Sequence, residues 1–177
     1  MAAAREQFAA NGVSGTSIRA IARHAEVDPA LVHYYFASKE ALLDAATTVP
    51  VEYMRASQTA ISAPLAERGQ RIVENVMQAW SSPDTSPVLR AIFLCANVDE
   101  VTRAKLRDSL STGFIHATAE RLPQADRLTR AGLVSSQIIG LCWLRYLWML
   151  EPLASMADHD VVALIGPTVQ RYLNGRL

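Results

Sequence analysis

Apolar residues recur along this chain at spacings of three and four, the period of a helix with one buried face. Ala2, Ala3, Ala4, Phe8 and Ala9 mark a first helix, which Asn11-Gly12 ends. Glycine there is the usual left-handed stop. Thr16-Ser17 offers a hydroxyl cap to a second helix through Ile18, Ile21 and Ala22. Asp28-Pro29 opens a third, with Asp as cap and Pro at the first helical position. Ser38 caps a fourth, whose Ala41, Leu42, Ala45, Ala46 and Val49 share one side. Pro50 falls inside that pattern. It removes a backbone hydrogen bond and disfavours α geometry at Val49, so a kink or break is expected.

The later pattern is longer. Leu65, Ile72, Val73, Val76, Met77 and Trp80 mark one helix, stopped near Ser81-Ser82-Pro83. Ser86-Pro87 starts the next, with Leu89, Ile92, Phe93 and Ala96 on one face. Leu106, Leu110, Phe114 and Ala117 mark another, which Pro123 limits. A very apolar helix covers 127–150, and a last one starts near Asp158, bent at Gly166-Pro167. That makes about nine helices and an all-α fold. Strand signals are nearly absent, with no Asn-Gly or Asp-Gly hairpin between alternating runs. Three short helices followed by longer ones suggest a small head, residues 1–46, on a helical-bundle body, residues 47–177.

Composition narrows the function. Half of the 177 residues are apolar and 19% are charged, which excludes a disordered chain. Seventeen basic residues balance seventeen acidic ones, so any nucleic-acid role rests on geometry rather than net field. Cys95 and Cys142 lie in apolar stretches without ligand-like neighbours and read as buried hydrophobes in a reducing compartment. No signal peptide or membrane-length apolar run is expected, and the reading is cytoplasmic with no membrane partner.

The first three helices, with a tight break at Ala25-Glu26-Val27, form a helix-turn-helix pattern. The third would lie in the major groove of DNA. Pro29 and Ala30 are small enough there for close approach, and His33, Tyr34 and Tyr35 put polar tips on flat rings. Such rings can reach phosphates or thymine methyls. Val32 and Phe36 should face the core, leaving His33 toward DNA. Arg19 is either a solvated charge or a DNA contact. Lys39, at the start of the fourth helix, would hold a phosphate together with free N–H groups.

The run Phe8…Gly12…Thr16-Ser17-Ile18-Arg19-Ala20-Ile21-Ala22…Ala25-Glu26-Val27…Tyr35-Phe36-Ala37-Ser38-Lys39-Glu40-Ala41-Leu42-Leu43 resembles the DNA-binding domain of the TetR family of bacterial transcriptional regulators. Arg145-Tyr146…Glu151-Pro152-Leu153-Ala154…Gln170-Arg171-Tyr172-Leu173 is similar to the C-terminal regulatory region of some actinobacterial members. The resemblance implies a homodimer that binds an operator and releases it when a small molecule changes the spacing of the heads. DNA contacts would fall on Ser17, Arg19, Pro29, Ala30, His33, Tyr34, Tyr35 and Lys39. Three features depart from the family pattern. The chain starts inside the first helix, so an upstream arm is absent or trimmed. Glu26 stands where glycine is common. The head carries Arg5, Arg19, Arg23 and Lys39 against Glu6, Glu26, Asp28, Glu40 and Asp44, a net charge of −1.

For the body, Trp80, Phe93, Phe114, Trp143 and Tyr146 either line an effector pocket for an apolar or aromatic molecule or serve as plain core. His116 would orient the effector or be exposed. Arg145 needs a partner, either a carboxylate such as Asp99, Glu100 or Glu151, or an acidic ligand. Asp158-His159-Asp160 reads as helix capping rather than a metal site. Gly132, Ser136 and Gly140 form a small-residue stripe on the apolar helix, whose other side, with Leu133, Leu141, Leu144 and Trp148, would face the subunit's own core. The stripe either makes a two-fold dimer interface with Val161, Ile165, Val169 and Tyr172 of the last helix or lies buried inside one subunit. No catalytic, cofactor or phosphate-loop motif is present, so no enzyme is expected. The alternative is an all-helical small-molecule-binding or interaction protein that has lost DNA binding.

Overall fold

Side-chain oxygens begin three of the first four helices. The computed structural model describes residues 1–177, with α1 at Ala2–Asn11, α2 at Ile18–His24, α3 at Pro29–Tyr35 and α4 at Lys39–Thr47. Ser17 accepts from the Ala20 N–H, Asp28 from Ala30 and Ser38 from Ala41, each satisfying a donor that the helix itself leaves open. Gly12, at φ 67°, stops α1. The expected break at Pro50 is present: α4 ends at Thr47 and α5 spans Val51–Ser62.

The remaining elements are α6 (Arg68–Ser81), α7 (Ser86–Val98), α8 (Glu100–Asp108), a π-helical segment Ser109–His116, the single turn α9 (Ala117–Ala119), α10 (Arg127–Cys142), a second π-helical segment Trp143–Leu147, and α11 (Asp158–Asn174). No residue is in a strand, so the chain is all-α. The elements outnumber the nine anticipated helices for two reasons. Pro50 separates α5 from α4, and the π segments divide two helices that the apolar pattern joins.

Packing groups the chain into two compact units, Met1–Pro50 with Pro83–Arg107, and Val51–Ser82 with Asp108–Leu177. The first unit thus takes in a segment that the sequence pattern places in the body. Three helices of seven to ten residues enclose little apolar volume, and α7 closes it. Cys95 of α7 lies in one cluster with Ala4, Phe8, Ile21, Leu42, Leu43 and Ala46. Burial there pushes its thiol pKa up to about 11. An ion pair between Lys105 and Asp44 joins α8 to α4 within the same unit.

In the second unit, α11 packs along α6. Its buried residues are Val161, Gly166, Val169 and Leu173. Val161 and Val169 were expected at a subunit interface; both are fully buried inside the subunit and belong to its core. The apolar face of α11 is consumed by α6 because glycine at 69 and at 166 lets the two backbones approach. α11 is helical throughout, Pro167 included. Trp148 also departs from expectation. The second π segment ends at Leu147, with the Trp148 N–H donating to Trp143 O at 2.9 Å, and Trp148 is exposed rather than turned to the core.

Three buried arginines serve backbone carbonyls at helix ends and in connections. Arg68 donates to Ala63 O, just past α5, and to Arg121 O. Arg130 donates to Tyr172 O and Gly175 O at the end of α11 and pairs with Asp126. Arg145 donates to Leu153 O and Met156 O. No helix is long and apolar enough to cross a membrane.

Candidate nucleic-acid interface and effector region

The turn between α2 and α3 is built from backbone bonds. Val27 N–H reaches Ala22 O at 3.0 Å and Glu26 N–H reaches Arg23 O at 3.2 Å, the paired bonds of a Schellman stop. That motif needs a left-handed residue, and Glu26 fills the position at φ 54°. A side chain there costs about 1–2 kcal/mol relative to the right-handed form. Asp28 then restarts the chain as cap, and α3 leaves the turn with Val32 and Phe36 packed against the head's cluster.

The opposite side of α3 is bare. Ala30 and His33 are exposed, Tyr34 is 81% exposed and Tyr35 68%. The two phenol rings meet edge to face, with centroids 5.1 Å apart at 85°. Ser17 and Arg19 at the start of α2 are also exposed, and Pro29 is half-buried. Ser17 spends its oxygen on the Ala20 N–H, which leaves its hydroxyl hydrogen as a donor. Leu31, 47% exposed on the same helix, is a surface residue that the sequence reading did not single out. Its offset from Val32 and Phe36 was the available signal.

Lys39 has a different place from the one expected. It is half-buried, and its ammonium donates to Val13 O at 2.6 Å and Thr16 O at 3.1 Å. Both carbonyls lie in the α1–α2 connection, which Thr16 closes from within by donating to Gln7 O and Gly12 O. Lys39 therefore ties that connection to α4 instead of standing free for a phosphate. Charged hydrogen bonds contribute about 1.5–3 kcal/mol. We expect Lys39→Ala to lower unfolding stability by about 2 kcal/mol, read in a urea titration. An unchanged midpoint would return Lys39 to the free surface.

Arg5 is likewise engaged, its Nε donating to Ala46 O at 3.0 Å. Arg19 and Arg23 remain as the head's exposed arginines.

In the second unit, Trp80 of α6 stacks on Tyr146 with centroids 4.6 Å apart and planes 2° apart. The Tyr146 hydroxyl donates to Met77 Sδ at 3.4 Å. Trp143 meets Trp148 at 5.8 Å. Burial raises the pKa of Tyr146 and of Tyr53, and pushes the Cys142 thiol up to about 12, so these groups stay neutral at ordinary pH. Asn75 Nδ2 donates to Ser57 Oγ at 3.1 Å beside Tyr53. Phe114 is half-buried on the first π segment. His116 is exposed, with Nδ1 2.7 Å from Ser111 O, so it does not point into an interior. Phe93 is half-buried on α7, whose residues belong to the first unit.

Arg145 is answered by protein. Its Nη2 donates to Asp158 Oδ1 at 2.7 Å, and its other bonds go to carbonyls. Burial alone would lower its pKa; Tyr146 and Asp158 outweigh that and hold it raised. The partner is thus a carboxylate, but Asp158 rather than Asp99, Glu100 or Glu151, and the Arg145 Nε is buried without a hydrogen-bond partner. Asp158 consequently caps nothing: it bonds Arg145 and Ser81 Oγ, and Ala157 stands at the helix cap.

Comparison with known proteins agrees with this architecture. Residues 1–46 match the family of bacterial regulatory proteins, tetR family, and residues 66–173 match the tetracyclin repressor-like C-terminal domain. A TetR-family regulator from Streptomyces coelicolor A3 is 30% identical, with a TM-score of 0.66 over 97% of this chain and 90% of that one. A TetR-like transcriptional regulator from Rhodococcus sp. RHA1 is 18% identical with a TM-score of 0.71, over 98% and 93% of the two chains. The multidrug binding protein EbrR, complexed with imidazole, is 20% identical with a TM-score of 0.63, over 97% and 86%. No curated protein matches the chain. The chain belongs to the TetR family of transcriptional regulators. That family binds DNA operators and small-molecule effectors, usually as dimers, and its members are regulators rather than enzymes.

Proposed function

We propose that this chain is a homodimeric repressor that holds a palindromic operator and is released from it by an apolar or aromatic small molecule. Residues 1–46 would be the DNA-binding domain and 47–177 the effector-binding and dimerisation domain. The observation that carries the reading is the bare face of α3, with Ala30, His33, Tyr34 and Tyr35 exposed beside Ser17 and Arg19 of α2. A two-fold pair of such heads reads half-sites about one turn of DNA, or a multiple, apart. The aromatic surroundings of Trp80, Trp143 and Tyr146 favour an apolar or aromatic effector.

The test is titration of a labelled promoter duplex with the full chain at two salt concentrations. With Arg19 and Arg23 as the exposed cations of each head, a dimer neutralises at most about four phosphates, so log K against log salt should have a slope no steeper than about −4. Tyr34→Ala should weaken binding without moving the thermal midpoint. Binding with no sequence preference at low salt would favour the alternative, a helical effector-binding protein without an operator; the head's net charge of −1 is the feature that speaks for it.

Dimerisation through α10 is supported by open space. A Cβ built on Gly132 or Gly140 would meet nothing within 4 Å, and Ser136 between them is exposed. Ile165 and Tyr172 are half-buried on α11. The first carbon of a leucine at position 140 meets no obstacle within the subunit, so Gly140→Leu should leave the fold intact and shift the protein to monomer in sedimentation velocity. A folded Gly140→Leu dimer would move the interface elsewhere.

A further inference from the structure

The exposed chemistry of α3 bears on which bases are read, and the inference rests on α3 being the recognition helix. Purines in the major groove are distinguished by forked donors and acceptors: a guanidinium or ammonium on guanine, a carboxamide on adenine. No residue of Pro29–Tyr35 carries any of these. The exposed residues are Ala30, Leu31, His33, Tyr34 and Tyr35. Ala30 and Leu31 precede Tyr34 by four and three positions, so both are its neighbours on the helix surface. Together they present a methyl, an isobutyl group and the side of a phenol ring, pointing away from the core that Val32 and Phe36 serve. Tyr35 abuts the Tyr34 ring edge to face, which limits where that ring can swing.

Scattered exposed apolar residues are ordinary. Here they are contiguous, and they lie on the helix that a helix-turn-helix head places in the groove. The one feature of the major-groove edge that rewards contact with carbon is the thymine 5-methyl group. We propose that the operator half-site is read chiefly through thymine methyl groups packed by Ala30, Leu31 and the Tyr34 ring. His33 and the two phenol hydroxyls supply the polar tips of α3, and Arg19 belongs to α2. The half-site is then defined by the positions of its T·A pairs more than by its guanines.

The experiment has two stages. The full chain first selects duplexes from a random pool. Each thymine of the selected duplex is then replaced by deoxyuracil, which deletes the methyl and preserves pairing. One or two positions per half-site should lose about fourfold in affinity each, the effect of withdrawing one buried methyl, and more than tenfold when both half-sites are changed. Leu31→Ala should bind the thymine and deoxyuracil duplexes equally at the position it packs. Tyr34→Phe should keep the methyl sensitivity and Tyr34→Ala should lose it, which separates the ring from its hydroxyl. A selected duplex that tolerates deoxyuracil everywhere, or a methyl sensitivity untouched by Leu31→Ala and Tyr34→Ala, overturns methyl reading while operator binding stands. Failure to select any duplex overturns both.

Discussion

Gly69→Val should unfold the second unit at a much lower temperature than the parent protein. A Cβ at position 69 would lie 2.5 Å from the Gln170 nitrogen and 2.7 Å from its Cα, both backbone atoms of α11. No rotamer relieves that contact; the helices must separate. Separation also breaks the bond from the Gly69 N–H to Gln170 Oε1, at 2.8 Å, and the bond from Gln170 Nε2 to Leu65 O, at 2.6 Å. Gln170 acts as a remote cap for α6, whose own Glu67 makes no side-chain cap bond. Val161, Val169 and Leu173 would lose part of their packing. Overpacking against backbone costs about 3 kcal/mol or more, and in a protein of this size that lowers the thermal midpoint by about 10 °C. Gly113→Ala is the control, since its Cβ meets only Ser109 Oγ at 4.0 Å and alanine is the better helix former by about 1 kcal/mol. Circular dichroism melts of the two variants should move in opposite directions. Equal midpoints for Gly69→Val and the parent would show that α6 and α11 do not cross as described.

Arg145→Met should release residues 148–157 while leaving most helices intact. Arg145 is 7% exposed, and its guanidinium joins three acceptors: Leu153 O, Met156 O and Asp158. Asp158 is partly solvated and also accepts from Ser81, so losing the ion pair itself costs little. The larger loss is the two carbonyls left without donors, at about 1–3 kcal/mol each. A total of about 2–6 kcal/mol is expected, with faster amide exchange confined to the 148–157 segment. Arg145→Lys should not rescue it, because an ammonium lacks the planar fork that reaches three separated acceptors. Asp158→Asn should cost under about 1 kcal/mol. Uniform loss of protection across α10 and α11 would mean that Arg145 supports the whole bundle instead of one connection.

The division between legible and illegible features follows residue by residue. The caps at Ser17, Asp28 and Ser38, the stop at Gly12 and the break at Pro50 were all readable, as was the exposure of His33 and of at least one of Tyr34 and Tyr35; both rings prove exposed. Lys39, Arg145, Val161 and Val169 were readable only as residue types with a need, for a counter-charge or an apolar neighbour. Their partners proved to be Val13 and Thr16 for Lys39, Asp158 for Arg145, and the α6–α11 core for the two valines. Arg68 and Arg130 gave no sign of burial, because a guanidinium bonded to carbonyls has no complementary residue type to look for. The π segments were hidden as well, since apolar periodicity does not separate neighbouring helical registers over so few residues.

Taken alone, the sequence determined where helices start and stop in the head, that no strand forms, and which face of α3 stays outside. Those outcomes depend on atoms within about four residues of each other, whose bonds form whatever the rest of the chain does. Tertiary structure alone decided that α7 completes the core of the first unit, that α11 spends its apolar face on α6, and that Lys39 and Arg145 are tied to carbonyls. In each case several surfaces or acceptors could meet the same need. The choice falls to whichever backbones can approach, and that is set by a glycine such as Gly69 facing a residue 101 positions away in the chain.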